Sequence, residues 1–163
     1  MIGEPRIEIS VERKLVGMRS RMSLSQNSTP ELWHSFMKQR KDVKNALTSD
    51  LISMQVYDTG IEFKDFTPHT EFEKWASVEV TDFDDVPEGM DSYILAGGSY
   101  AVFLYKGAAN DFANAYNYIF GDWLPNSIYN LDERPHFEVM GAKYKGNDPD
   151  SEEEIWIPIK DKQ

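Results

Sequence analysis

The same order of elements can be read twice along this chain, and that repeat constrains the fold more than any other feature. In the first half "KLVGMRSRMS" reads as a strand. "NSTPELWHSFMKQRKDVKNAL" reads as a helix, with Thr29 as N-cap, Pro30 in the first turn and a stripe of Leu32, Phe36, Val43 and Leu47 at helical spacing. "LISMQVYD" and "TEFEKWASVEV" then read as two strands, joined by a turn-rich link through Gly60 and the Thr67-Pro68 pair. Beyond the acidic connector "TDFDDVPEGMD", the strand "GSYAVFLYKG" is followed by the helix "AANDFANAYNYIFG", which carries Phe112, Tyr116 and Ile119 in register and Gly121 as its stop. The strands "HFEVMGAKYKG" and "EEIWIPIK" complete the second half.

Trp75 and Trp156 fall at equivalent places in the fourth element of each half. The expected fold is therefore α+β: one domain over residues 1–163, built from pseudo-repeat halves of about 1–85 and 86–163. Two such strand-helix-strand-strand units can set their sheets side by side about a pseudo-twofold axis, giving a mainly antiparallel sheet with helices on one face and a central cleft. Clefts of that kind are default ligand sites.

Composition removes several classes of function. With no cysteine, disulfides, thiolate zinc sites and cysteine nucleophiles are excluded, which fits a reducing cytoplasm. The start "MIGEPRIEIS" lacks the basic and apolar runs of a signal peptide, and no apolar run approaches membrane-spanning length, so a soluble, cytoplasmic protein is expected. Against 28 Asp and Glu stand 17 Lys and Arg; the resulting charge of −11 repels a phosphate backbone and attracts cations. Direct nucleic-acid binding is disfavoured.

Catalytic and metal motifs also fail. "SFMK" has Ser-x-x-Lys spacing at Ser35 and Lys38 without its companion motifs, and "GGSYA" around Ser99 leads into a strand where a nucleophile elbow requires a helix. His34, His69 and His136 show no paired metal spacing, and "NDPDSEEE" lacks the glycine of a calcium loop. No cofactor, metal or catalytic residue is assigned.

The run "GGSYAVFLYKGAANDFANAYNYIFGDWLPNSIYNLDERPHFEVM", closing with "DPDSEEEIWIPIK", resembles the GyrI-like effector-binding domain, the ligand-sensing module of multidrug-responsive transcription activators. The match is most specific at "YAVFLYKG", at "WLPNS", and at a Glu followed by apolar, aromatic, apolar and Pro; "KLVGMRSRMS" and "ELWHSFMKQRKDV" are similar to stand-alone members. The resemblance implies a small-molecule-binding protein, for sensing or sequestration, whose carboxylate meets lipophilic cations at the bottom of the pocket. The position that matches is Glu154. No helix-turn-helix segment is read in the chain, which puts activation by it in doubt. Two other roles exist within the family resemblance: hydrolysis of reactive, electrophilic natural products, and protection of gyrase or another protein partner. Hydrolysis is disfavoured because no second catalytic group is evident.

Strand alternation sets Glu154 and Trp156 on one face and Ile155, Ile157 and Ile159 on the other; with the isoleucines under a helix, Glu154 is expected to point into the cleft. Ser151, Glu152 and Glu153 read as a solvated approach to the strand. Further candidate lining residues are Trp33, Met37, Trp75, Trp123, Phe137 and Met140, while Tyr116, on the buried stripe, reads as core.

Overall fold

A computed structural model describes residues 2–162. In chain order the strands and helices are β1 (Arg6–Ser10), β2 (Arg13–Met22), α1 (Thr29–Gln39), β3 (Leu51–Val56), β4 (Phe72–Val80), β5 (Asp91–Leu95), β6 (Gly98–Lys106), α2 (Phe112–Tyr118), β7 (Tyr129–Leu131), β8 (His136–Met140) and β9 (Glu152–Asp161). All strand pairs are antiparallel, in the order β1-β6-β9-β8-β3-β4-β2-β5, with β7 added against β9. The repeat is thus β2-α1-β3-β4 and β6-α2-β8-β9. Its pseudo-twofold axis passes between the central strands β3 and β8, where Met54 stands opposite Phe137. Trp75 pairs with Met54, and Trp156 pairs with Phe137, so the two tryptophans do occupy matching places.

The two ends of the sheet are drawn together by the chain itself. β1, at one end, is joined by two residues to β2 near the other end; β5, at that far end, is joined by two residues to β6. Those links touch: any side chain at Gly97 would collide with the Ser10 carbonyl, which is why a residue without Cβ stands there. The sheet therefore curls, and it buries both faces. One face encloses Leu15, Ile52, Met54, Trp75, Leu95, Tyr100, Val102, Phe137 and Trp156. The other carries the helices: Leu32 and Phe36 of α1 lie over Val16, Ala76 and Val78, and Ala115 of α2, with Ile119 just beyond it, lies over Ile155 and Ile157.

Local departures from the sequence reading have local causes. The first helix begins at Thr29, whose amide donates to Asn27 Oδ1 (3.0 Å), so Thr29 is the first helical residue and not the N-cap. It ends at Gln39 with a 3₁₀ turn over Arg40–Asp42. The chain then turns extended so that Ala46 can bridge Val80 and the Leu47 amide can reach the Glu79 carbonyl; Val43 stays in the core while Leu47 is exposed. Gly121 does not stop α2. The helix continues through a wide π turn, Ile119–Trp123, and a last turn, Leu124–Asn126. Nor is the approach to β9 solvated: Ser151 is buried, its hydroxyl accepting the Lys145 amide at 2.7 Å. Among the described residues no helix is long and apolar enough to cross a membrane.

Candidate ligand-binding cleft

Strand parity decides which side chains reach the gap between the helices. On β4, Phe72, Ala76 and Val78 pack under α1, and Lys74 shares their side of the strand. On β9, Ile155, Ile157 and Ile159 pack under α2, and Glu153 shares theirs. Ile52 and Met54 of β3 and Phe137 of β8 face the concave side, which turns Gln55, His136 and Glu138 toward the helices. Lys74, Gln55, Glu138 and Glu153 thus come from the four neighbouring strands β4, β3, β8 and β9 and form a polar diagonal. Gln55 and Glu138 sit at matching places in the two halves, and Gln55 Nε2 donates to Glu138 Oε1 at 3.1 Å.

Above this diagonal opens a cleft of about 970 Å³. Its walls are rings: Phe112, Tyr116 and Phe120 from the second helix, Phe63 and Phe66 from the 3₁₀ turn before β4, and Tyr57, Phe72 and Tyr144; Pro30 closes the side toward α1. The rings lean on one another, Phe112 on Tyr116 (4.7 Å between centroids), Tyr116 on Phe120 (5.8 Å) and Phe63 stacked on Phe120 (5.8 Å). Tyr57, Phe63, Phe120 and His136 also line an adjoining chamber of about 800 Å³, so these four rings form a partition between two spaces.

The floor is polar and poorly satisfied. Glu138 is 6% exposed, Lys74 7% and His136 3%. Gln55 Oε1, Glu138 Oε2 and His136 Nε2 have no partner among the described residues, although buried polar atoms ordinarily have one. Burial pushes the Glu138 carboxyl up, opposed by Lys74, Gln55 and the Tyr116 hydroxyl. Burial, reinforced by the neighbouring Glu138, pushes Glu153 up to about 8. Lys74 is pushed down by burial against the pull of Glu138 and Glu153, and burial holds His136 at about 3, so its ring is neutral at physiological pH. Among the described residues no cluster of His, Asp and Glu has the arrangement of a metal site.

The residues expected from sequence lie elsewhere, and none of the eight lines this cleft. The cleft is on the same face as the helices; the isoleucines under α2 share it, so the β9 carboxylate on that face is Glu153, behind the lining residue Glu138, and not Glu154. Glu154 projects on the concave side, where its Oε2 accepts from Arg6 Nη2 (2.9 Å) and its Oε1 from Trp156 Nε1 (3.1 Å). Trp75, Phe137 and Trp156 fill the concave core. Trp33 packs edge-to-face on Phe36, Met37 is exposed, Trp123 sits in the π turn against Phe103 and Tyr129, and Met140 ends β8 opposite Leu51. Tyr116, read as core, lines the cleft. The missed residues did leave a signal: Lys74 stands among Phe72, Ala76 and Val78, and Glu153 leads into Ile155, Ile157 and Ile159, each a charge set on a run of apolar positions of one strand parity.

Comparison with known proteins agrees with this architecture. The model of the GyrI-like small molecule binding domain matches residues 3–160. Transcriptional regulator BrlR of Pseudomonas aeruginosa is 32% identical over 93 residues, 56% of this chain and 34% of that protein, so the match spans about a third of the regulator. In fold, the chain is similar to the EcmrR C-terminal domain (TM-score 0.74, 15% identity, 98% of each chain) and to SAV2435 bound to tetraphenylphosphonium (TM-score 0.64, 16% identity, 97% of this chain and 94% of that one). With the family model covering nearly its whole length, this chain belongs to the GyrI-like small-molecule-binding domain family.

Proposed function

We propose that the protein binds lipophilic cations in the cleft between α1 and the second helix, for sensing or sequestration. The observation that carries this reading is Glu138: a carboxylate with one oxygen held by Gln55 and the other unpartnered, at the floor of an aromatic-walled space. A buried carboxylate with an oxygen left without a hydrogen bond is costly, and a cation over it offsets that cost while the surrounding rings present their negative faces. The net charge of −11 draws the same class of ligand toward the surface. Tetraphenylphosphonium, the ligand of SAV2435, suits the size and chemistry of this cleft and is a suitable first probe. The similarity to BrlR makes regulation of transcription the natural setting for such a sensor.

Calorimetric titration of the wild type and Glu138→Gln with tetraphenylphosphonium tests the reading. Loss of the charge at the floor is expected to weaken binding about 10- to 100-fold, equivalent to about 1.4–2.7 kcal/mol. Equal affinities for the two proteins would remove the carboxylate from the site.

A further inference from the structure

The floor of the cleft holds one amine, Lys74, and one carboxyl, Glu138, with a second carboxyl, Glu153, just behind it, and their count restricts what can enter. Lys74 of β4, Glu138 of β8 and Glu153 of β9 all lie on the helix-bearing side of the sheet, the first two buried and Glu153 half-buried, close enough for each to act on the others' charge. Fully ionised, the three carry a net charge of −1. In a buried site, net charge is expensive and neutral combinations are favoured. Two neutral combinations exist. With the cleft free of ligand, the Lys74 ammonium offsets one ionised carboxylate and the second carboxyl keeps its proton. With one monovalent cation present, both carboxylates ionise and the total is again zero.

We infer that the cleft takes up lipophilic monocations in exchange for one proton held by the Glu138–Glu153 pair, and that Lys74 sets this one-charge limit and discriminates against dications. This inference rests on the cation-binding reading above and gives it a stoichiometry. Glu138, whose Oε2 lacks a partner and lines the cleft, meets the ligand, and Glu153 stands behind it on the next strand. The proton leaves from the pair as a unit. No covalent bond forms; the exchange is ligand cation in, proton out to solvent.

The other groups facing the pair do not supply that proton. Tyr105 of β6 stands opposite Glu153, Tyr116 projects from α2, Tyr57 follows β3, and Tyr144 comes from the segment after β8; all four phenols are held above their ordinary value by burial, which keeps them protonated. His136, also on the floor, is already neutral. The carboxyl pair is what remains to titrate near neutrality, with Glu153 at about 8.

The test is calorimetric titration of the full chain with tetraphenylphosphonium, whose charge does not titrate, in phosphate and in Tris at pH 7. The expected result is a buffer-dependent heat corresponding to about one proton released per ligand, with affinity rising with pH by up to tenfold per unit and levelling above about 8. Glu153→Gln, close in size to the native residue, is expected to lose both the released proton and the pH dependence. Comparing ethidium with the related dication propidium reads the charge limit: the wild type is expected to favour ethidium at least tenfold, and Lys74→Met to narrow or invert that ratio. Binding of tetraphenylphosphonium that is tight, pH-independent and free of proton release overturns the exchange while leaving the cation site intact. An ethidium-to-propidium ratio unchanged in Lys74→Met overturns the role of Lys74. Absence of tetraphenylphosphonium binding at every pH overturns the cation site itself.

Discussion

The two faces of the curled sheet both bury aromatic rings beside carboxylates, yet they handle charge in opposite ways. On the concave face the same clamp is built twice: Trp156 Nε1 and, from β1, Arg6 hold Glu154 (3.1 and 2.9 Å), and Trp75 Nε1 and Arg19 hold Glu73 (2.7 and 3.2 Å). Arg6 and Arg19 also lie over the rings of Trp156 and Trp75, at 5.9 and 6.0 Å. The unpartnered atoms of that face, the Tyr100 hydroxyl and Arg134 Nη1, belong to neighbouring residues, with the guanidinium 4.6 Å from the ring. On the helix-bearing face the symmetry is broken. Where the first half puts Phe72 and Lys74, the second puts Glu153 and Ile155, and Glu138 is left with a free oxygen. The difference is that the protein's own donors meet the half-buried carboxylates of the concave face, whereas an oxygen of the buried Glu138 is left without one.

The sharpest way to break that comparison is to remove a ring from the concave face. Trp156→Ala or Trp75→Ala is expected to cost about 3–5 kcal/mol of stability in urea denaturation, the usual range for emptying a core site of that size; a loss below about 1 kcal/mol would deny this face its structural role. Next in size is a pH effect on the other face. Glu153, raised to about 8 in the fold against 4.5 for the free group, favours the folded state while protonated, so that stability is fully present below pH 4.5 and is lost as pH rises toward 8. Glu153→Gln should remove this alkaline loss and gain about 2–3 kcal/mol over the wild type at pH 8, read from denaturation at a series of pH values. A wild type whose stability stays flat across the window would contradict the burial of that carboxyl.

Ligand affinity separates the faces more directly. Glu138→Gln should weaken tetraphenylphosphonium binding about 10- to 100-fold, roughly 1.4–2.7 kcal/mol, whereas Glu154→Gln should leave it within about twofold. The reverse pattern would return the site to the concave side. The smallest effect belongs to the Arg6–Glu154 pair itself, whose side chains are 47% and 31% exposed. Glu154→Gln should change stability by less than about 1 kcal/mol, as expected for an ion pair open to solvent and salt.

Much of this fold was legible because strands and helices announce themselves by period. Leu32 and Phe36 marked α1, and the Trp75–Trp156 correspondence marked the repeat. The site was less legible. Choosing between Glu153 and Glu154 required knowing which face of β9 carried the cleft, and alternation supplies two equivalent sets without labelling them. The isoleucines do lie under a helix, and the cleft lined by Glu138 opens on that same face, not on the side that Glu154 shares. Short added strands were also hidden: β7 has three residues, too few to show a period, and it exists because β9 offers an edge to pair with.

By itself the sequence determined that this chain makes two copies of one strand-helix-strand-strand unit, that it lacks cysteine chemistry, and that its charge favours cations, because those properties reside in composition and local periodicity. Only the tertiary structure decided which carboxylates gather and which find partners. Arg6 and Glu154 lie far apart in the chain and meet because β1, β6 and β9 are neighbours; Lys74, Glu138 and Glu153 gather because β4, β3, β8 and β9 are. Whether a buried charge finds a partner depends on strand order and curl, and these are set by contacts between distant segments that no local pattern specifies.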